Sequence, residues 1–482
     1  MRRLPEIRLK ESIRNRWGIP NGYRDVLKVS LPLVASMSSV TLMYFTDRVF
    51  LANYSMEAIA AAMPAGIAAF TLIAFFMGVA GYVNVFVAQY TGSQDQERVG
   101  AALWQGLYFS VAAGMLLASA AWIAEPLFNL VGHPVEVREL EIVYFRILIW
   151  GSGFSLVEWT LACFFSGRGM TRTVMMVNVL GACVNIPLDY ALIYGIGFFP
   201  ELGILGAGIA TVTAYATMTV CYAWLVFSDA HEERFRVKSN RKFDVDLFGR
   251  LMKYGLPNGV RFFIEIFAFT FFVFIVGRIG TIELAATNIV LTINTLAFLP
   301  MLGFTMGIAI LVGQAIGNNR PDAAEEATTS TLHITISYMV LVALVFLLAP
   351  DLLLYLFASA DHEACDVRAI HGLGVVLLKI VAVYCIFDGI TLVYAGAIEG
   401  AGDTRFVMWM FAVLSTGLMV APAFLAVEVF HAGLMIPWLS MALYLCVISL
   451  VFRWRYVQGK WKRMRVIEAK PLADQGDGES AM

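Results

Sequence analysis

The sequence predicts an all-α polytopic membrane protein: twelve transmembrane helices in two six-helix bundles related by a pseudo-two-fold axis along the membrane normal. Three observations carry this. Hydrophobic residues are 59% of the 482 and charged residues only 15%, with a mean hydropathy of +0.74; soluble domains carry about 25% charged residues. Apolar stretches long enough to cross a bilayer recur twelve times. The second half of the chain repeats short motifs of the first.

In order, residues 1–28 form a basic arm with Arg2, Arg3, Arg8, Lys10, Arg14, Arg16, Arg24 and Lys28. Such an arm stays on the cytoplasmic side and can lie on the membrane surface. Its long charged opening predicts no cleavable signal peptide. Apolar segments follow at 29–52, 64–88, 101–124, 141–165, 174–195 and 205–228, which make a first lobe over 29–228. A basic linker, 229–253, carries Arg234, Arg236, Lys238, Arg241, Lys242, Arg250 and Lys253. The second lobe, 254–457, holds segments at 255–277, 287–312, 328–350, 373–398, 407–428 and 434–453. A tail, 458–482, begins with Lys460, Lys462, Arg463 and Arg465 and turns polar from about 466, which reads as disordered. The turns 196–204 and 429–433 have no Lys or Arg. This asymmetry puts both termini and the linker on the cytoplasmic side of the membrane.

The repeat is legible in three places. LKVSLP at 27–32 returns as MKYGLP at 252–257, and AQYTG at 88–92 as GQAIG at 313–317, both at an offset of 225. GRGMTR at 167–172 returns as GAGDTR at 400–405, at an offset of 233, so the second half has a longer outer turn near 351–372. Six helices per half is an even number, so both halves enter from the same side, the parallel kind of repeat. The GxGxTR stretches read as tight turns with Arg at the headgroups. No strand precedes them, which argues against a phosphate loop.

Composition also excludes functions. A net charge of −2 gives no basic surface for nucleic acid. Six Cys without C-x-x-C spacing and six scattered His give no metal motif. No HExxH or nucleophile–His pattern suggests an enzyme, and no cofactor motif is present.

The intramembrane acids are therefore the candidates. An ionised carboxylate at bilayer depth costs several kcal/mol unless it is protonated, paired or facing water. In the first lobe, Asp47 lies far along the first segment. Asn185 and Asp189 lie one turn apart on the fifth, and Thr211 sits at similar height on the sixth. Together they make either a structural hydrogen-bond network or a site for a proton or Na⁺, since hard cations take oxygen ligands. Pro187 between the two removes a backbone donor and frees carbonyls. Arg48 is a possible partner of Asp47, although neighbours in sequence point to different faces. In the second lobe, Glu265 sits near the middle of its segment. Tyr384 and Asp388, at i and i+4, meet it near the midplane. Arg261, one turn before Glu265, either pairs with it or snorkels to the headgroups. Glu158, Lys379 and Arg146 carry less weight, with Arg146 an interface anchor. Shifted by the repeat offsets, Glu265 falls on Val40, Asp388 on Ser155 and Asp189 on Pro422. Architectural acids recur with the architecture; these do not.

These residues resemble a family. From about Leu27 to Val457 the chain resembles the multidrug and toxic compound extrusion (MATE) transporters. The resemblance rests on the SLP opening, Asp47 in FTDRVFLA, EAIAAA, VAQYTG, SGRGMTRT leading to NIPLDYALIYG, and GILGAGIAT. VGRIGTIELAATNI, VGQAIG and EGAGDTR carry it in the second half. The resemblance implies a V of two six-helix lobes and cation-coupled antiport, H⁺ or Na⁺ driving export of cationic amphiphilic compounds. It implies an N-lobe cation site of Asp47, Asn185, Asp189 and Thr211, with Thr213 close by. It also implies a C-lobe cation or substrate site of Glu265, Tyr384 and Asp388, which the DinF-like branch usually lacks and the NorM-like branch has; having both sets leaves open which lobe couples. The expected partners are lipid and small cationic molecules, with the protein a monomer. An exporter of one metabolite, or a flippase of lipid-linked sugars on the same broad fold, are the alternatives; the acidic midplane argues against the flippase.

Overall fold

The structure is a computed structural model that describes residues 16–355 and 364–468. Twelve of its helices are long and apolar enough to cross a membrane, and among the described residues there is no strand. They are α1 (Tyr23–Tyr54), α2 (Met56–Gly92), α3 (Gln96–Val131), α4 (Val135–Ser166), α5 (Thr171–Tyr194) and α6 (Ile204–Val226) in the N-lobe. The C-lobe has α7 (Val245–Gly277), α8 (Thr281–Gly317), α9 (Pro321–Leu348), α10 (Ala364–Ala401), α11 (Thr404–Val429) and α12 (Met435–Val457). At 23 to 38 residues they span roughly 35 Å or more, enough for a bilayer. Most run past the apolar segments read from sequence, because polar first and last turns still complete helical hydrogen bonds. Local signals end them: Ser55 caps α2 by accepting from the Ala58 N–H, and left-handed Gly195 closes α5.

The packing repeats with the sequence. α1 packs on α5, α2 on α4 and α4 on α6; correspondingly, α7 packs on α11, α8 on α10 and α10 on α12. The lobes meet by an exchange: α2 lies on α7, and α8 lies on α1. At the first crossing a Cβ on Gly78 would stand 2.7 Å from the Gly259 Cα, so only glycine admits the approach. Asn258 Nδ2 donates to the Gly78 carbonyl there at 2.7 Å.

The repeated motifs turn out to bind one another. Gln89 of AQYTG donates to the Gly400 carbonyl of GAGDTR at 3.0 Å, and Gln314 of GQAIG donates to the Gly167 carbonyl of GRGMTR at 2.8 Å. A Cβ on Gly92 would fall 2.0 Å from the Gln314 carbonyl oxygen, and one on Gly317 the same distance from that of Gln89. The turns read as headgroup anchors are thus also the seam that closes the two lobes at one end. That end also holds the 229–244 linker, with its short helix Asp229–Phe235. The inter-lobe contacts named here lie at this linker end or at mid-height.

The start of the tail is packed. Of the stretch from about 466 that reads as disordered in sequence, 466–468 fall among the described residues, and there Val466 and Ile467 are buried, as is Trp461 before them. The Val466 N–H donates to Gln89 Oε1 at 3.0 Å, and Tyr254 donates to the Arg465 carbonyl. Glu468 accepts from Tyr90 at 2.8 Å and pairs with Arg250 and Arg98. Tyr90 and Arg98 belong to the N-lobe, Arg250 and Tyr254 to the C-lobe, so the strap crosses the seam. Burial alone pushes the Glu468 carboxyl up, but the Arg250 hydrogen bond and that of Tyr90 outweigh it and draw it down to about 2. Residues 469–482 lie outside the described residues.

Candidate cation and substrate sites

The N-lobe cluster is assembled by three helices. Met43 of α1, Ala182 of α5 and Ala214 of α6 pack together as a small apolar plug. One turn further from the linker, on the same faces, stand Asp47 (43 plus four), Asn185 (182 plus three) and Thr211 (214 minus three, because α6 runs back). Asp189 stands one turn beyond Asn185. All four are buried: Asp47 is 4% exposed, Asn185 1%, Asp189 0% and Thr211 4%. Thr213 faces elsewhere, lining an apolar surface depression with Val220 and Trp224.

These buried polar groups are mostly unpartnered. Asp47 Oδ2 accepts from the Tyr144 hydroxyl of α4 at 2.9 Å. Asp47 Oδ1 has no hydrogen-bond partner among the described residues, and the polar atoms of Asn185 and Asp189 find none there beyond each other. The charge of Asp47 reaches Asp189. Arg48 is exposed and makes no ion pair with Asp47. Two neighbouring carboxylates without a cation cost several kcal/mol when both are ionised in a low-dielectric interior. Binding a proton or a small hard cation removes that cost, and the oxygen-rich set fits either. No three His, Cys, Asp or Glu cluster as a metal site among the described residues.

The C-lobe cluster has a different charge balance. Glu265 on α7 is half-exposed, its side chain 37% accessible. Arg261 Nη1 donates to its Oε2 at 3.1 Å, so of the two readings of Arg261 pairing is the one seen. The guanidinium also reaches α10, where Nε lies 2.9 Å from Glu399 Oε1. Asp388 and Tyr384 sit on α10; Tyr384 is 2% exposed, and the charge of Asp388 reaches it. Glu265 and Asp388 lie within reach of each other's charge, and Tyr444 of α12 lies within reach of both. α7 and α10 do not pack together, so these groups face one another across the lobe.

Three participants escaped the sequence reading. Tyr144 is a buried tyrosine in an apolar run, and its hydroxyl's need for a partner was the available signal. Glu399 opens EGAGDTR, a stretch read only as a turn. Tyr444 had no signal beyond lying in a span. Among the lesser charges, Glu158 is 4% exposed and its charge reaches Tyr215 and Tyr222; Tyr215 pairs with Tyr44 at 2.8 Å. Lys379 is exposed. Arg146 pairs with Glu125 at 2.7 Å near the far end.

Comparison with known proteins bears on this arrangement. A family model described as MatE matches residues 32–191 and again 257–425, once per half and in step with the repeat. A probable multidrug resistance protein NorM of Rhizobium meliloti is 28% identical over 465 residues, 95% of this chain and 97% of its own. The multidrug resistance protein NorM of Burkholderia vietnamiensis is 29% identical over 90% of this chain and 93% of its own. A solved outward-facing multidrug resistance MATE family transporter of the MOP superfamily superposes with a TM-score of 0.83 at 21% identity, over 94% of this chain and 98% of that one. A MOP superfamily transporter of Pyrococcus furiosus, described as having a binding pocket of reversed polarity, gives 0.83 at 22%, over 94% and 99%.

Proposed function

The chain belongs to the MatE family, in its NorM-like part, and on that premise we propose that it is a cation-coupled antiporter exporting cationic amphiphilic compounds. It is a multi-pass membrane protein of a multidrug efflux family. The observation that carries the finer reading is the buried pair Asp47 and Asp189, ion-paired with no side-chain cation among the described residues, beside Asn185 and Thr211. A proton or Na⁺ is the ligand that such a pair takes up at least cost. The C-lobe acids Glu265 and Asp388, with Tyr384 beside them, are more accessible and face a cationic substrate.

Coupling follows from charge. A cation entering from the far end neutralises the N-lobe acids and favours a different packing of α1, α5 and α6. That shifts the balance between states open at either end, and the substrate held by the C-lobe acids is released outward. The seam of Gln89 and Gln314 must part for the protein to open at the linker end. The reading places the arm, linker and tail in the cytoplasm and the protein in the bacterial inner membrane, working as a monomer without a cofactor and without enzymatic activity.

Ethidium efflux from energised cells, with Na⁺ and pH gradients imposed separately, tests this. Efflux that requires one gradient is expected and names the ion. Absence of efflux of any cationic dye under either gradient, from well-expressed protein, rejects the multidrug reading.

A further inference from the structure

Arg261 is the feature of the C-lobe that the transport cycle above leaves unused. A guanidinium is always charged. This one lies between two carboxylates, bonded to Glu265 and in contact with Glu399, while Asp388 adds a third acid within reach of the Glu265 charge. Its two contacts differ. The one to Glu265 is a directed hydrogen bond. The one to Glu399 is short, but its N–H points off the line, so it is ionic. Accessibility differs as well: the Glu265 side chain is 37% exposed, that of Arg261 16% and that of Glu399 12%. Glu399 is held from behind, since Tyr82 of α2 donates to its carbonyl at 2.9 Å. The Phe411 ring faces the guanidinium at 5.4 Å.

The repeat supplies an internal control. By its offsets, Arg261 corresponds to Ser36 and Glu399 to Ser166. In the N-lobe Ser36 accepts from Asn178 at 2.7 Å and Ser166 donates to Asn84 at 3.0 Å, both neutral bonds. The architecture is therefore satisfied by two serines, and the charged pair does something else in the C-lobe.

We propose that Arg261 is a tethered counter-cation of the substrate site, anchored by Glu399, and that this pair sets how much positive charge a substrate can carry there. This rests on the C-lobe acids being the substrate site. A cation arriving at the more exposed Glu265 displaces only the Nη1 contact, while Glu399 keeps the guanidinium in place. With all groups ionised, three carboxylates and one guanidinium leave two negative charges for the substrate. Without the arginine there are three, and a dication gains most. Without Glu399 the guanidinium has one partner left, closes fully on Glu265 and competes with the substrate. Arg261 and Glu399 thus act as specificity-determining, positioning residues, not as ligands of the substrate.

Purified full-length protein tests this, with ethidium as a monocation followed by fluorescence and methyl viologen as a competing dication. Arg261→Met should raise the preference for methyl viologen over ethidium about tenfold, a shift set by one unit of charge in a partly screened site. Glu399→Gln should weaken ethidium about tenfold. The double variant restores the charge balance and should return both affinities to near wild type, a rescue that a purely structural salt bridge does not predict. An unchanged preference in Arg261→Met, or a double variant no better than the worse single one, overturns the proposal. If Arg261→Met does not fold, the isosteric Glu399→Gln decides alone: unchanged ethidium affinity there overturns it. Wild-type protein that binds neither probe removes the substrate reading itself, and this proposal with it.

Discussion

The two lobes solve one problem in opposite ways. Each places acids on helices that face one another without packing: Asp47 on α1 opposite Tyr144 on α4, and Glu265 on α7 opposite Glu399 and Asp388 on α10. In the N-lobe the acids are nearly inaccessible, and the groups that reach them, the Tyr144 hydroxyl and the Asn185 amide, are neutral. In the C-lobe they are more open, and a permanent cation stands between two of them. A buried acid pair with no cation must import its neutralising charge, which suits a coupling ion. A cluster that already holds a guanidinium tolerates ionisation and trades contacts, which suits an exchangeable organic cation. The fifth helix of each half diverges too: where α5 has Asp189, α11 has Pro422, flanked by wide π-helical turns at Ser415–Val420 and Leu425–Val429. One backbone plan thus carries two different charge balances.

The sharpest way to break this comparison is to neutralise one lobe at a time. Asp47→Asn and Asp189→Asn should abolish gradient-driven efflux, at least about tenfold, yet retain ethidium binding. Glu265→Gln and Asp388→Asn should lose the binding itself. Identical phenotypes from both pairs would mean that the lobes do not divide the work. Next in size is the seam that both lobes share. Gly92→Val and Gly317→Val each drive a side chain into a carbonyl oxygen of the opposite lobe, at 2.0 Å for the Cβ. Both should prevent closure at the linker end and expose it to thiol labelling of an introduced cysteine. Equal losses are expected, because the two contacts are related by the repeat; wild-type closure in either variant contradicts the approach described.

A smaller effect isolates the hydroxyl that serves Asp47. Tyr144→Phe removes one hydrogen bond worth about 1 kcal/mol, so the affinity for the coupling ion should change about fivefold, with substrate binding unaltered. An altered ethidium affinity would tie Tyr144 to the substrate instead. The smallest effect concerns the strap. Glu468 is 41% exposed, so its ion pairs are worth no more than about 1 kcal/mol after screening. Its carboxyl is drawn below the ordinary 4.5 to about 2. The stabilisation is therefore complete above about pH 5 and lost as pH falls toward 2. The Tm difference between wild type and Glu468→Gln should stay constant from pH 5 to 8 and vanish in stronger acid. A difference that changes across neutrality would place another titrating group in the strap.

Much of this was legible in the chain. Hydropathy and helical period place the spans, and the even half-repeat gives their common orientation. Counting turns along α1, α5 and α6 puts Asp47, Asn185, Asp189 and Thr211 at one height, and the buried plug of Met43, Ala182 and Ala214 shows them on converging faces. These properties are local or periodic, so sequence alone determined them. Only the tertiary structure decided which partners meet. Tyr144 finds Asp47 across 97 residues, Gln89 finds Gly400 across 311, and Arg261 reaches Glu399 on a helix other than its own. Such contacts depend on the rotation and crossing of whole helices, which no spacing in one segment records. The tail shows the same limit from the other side. Its polar composition from about 466 reads as disorder, yet the first residues of that stretch, Val466 and Glu468, are held because the closed seam offers Gln89, Tyr90 and Arg250 as ready partners.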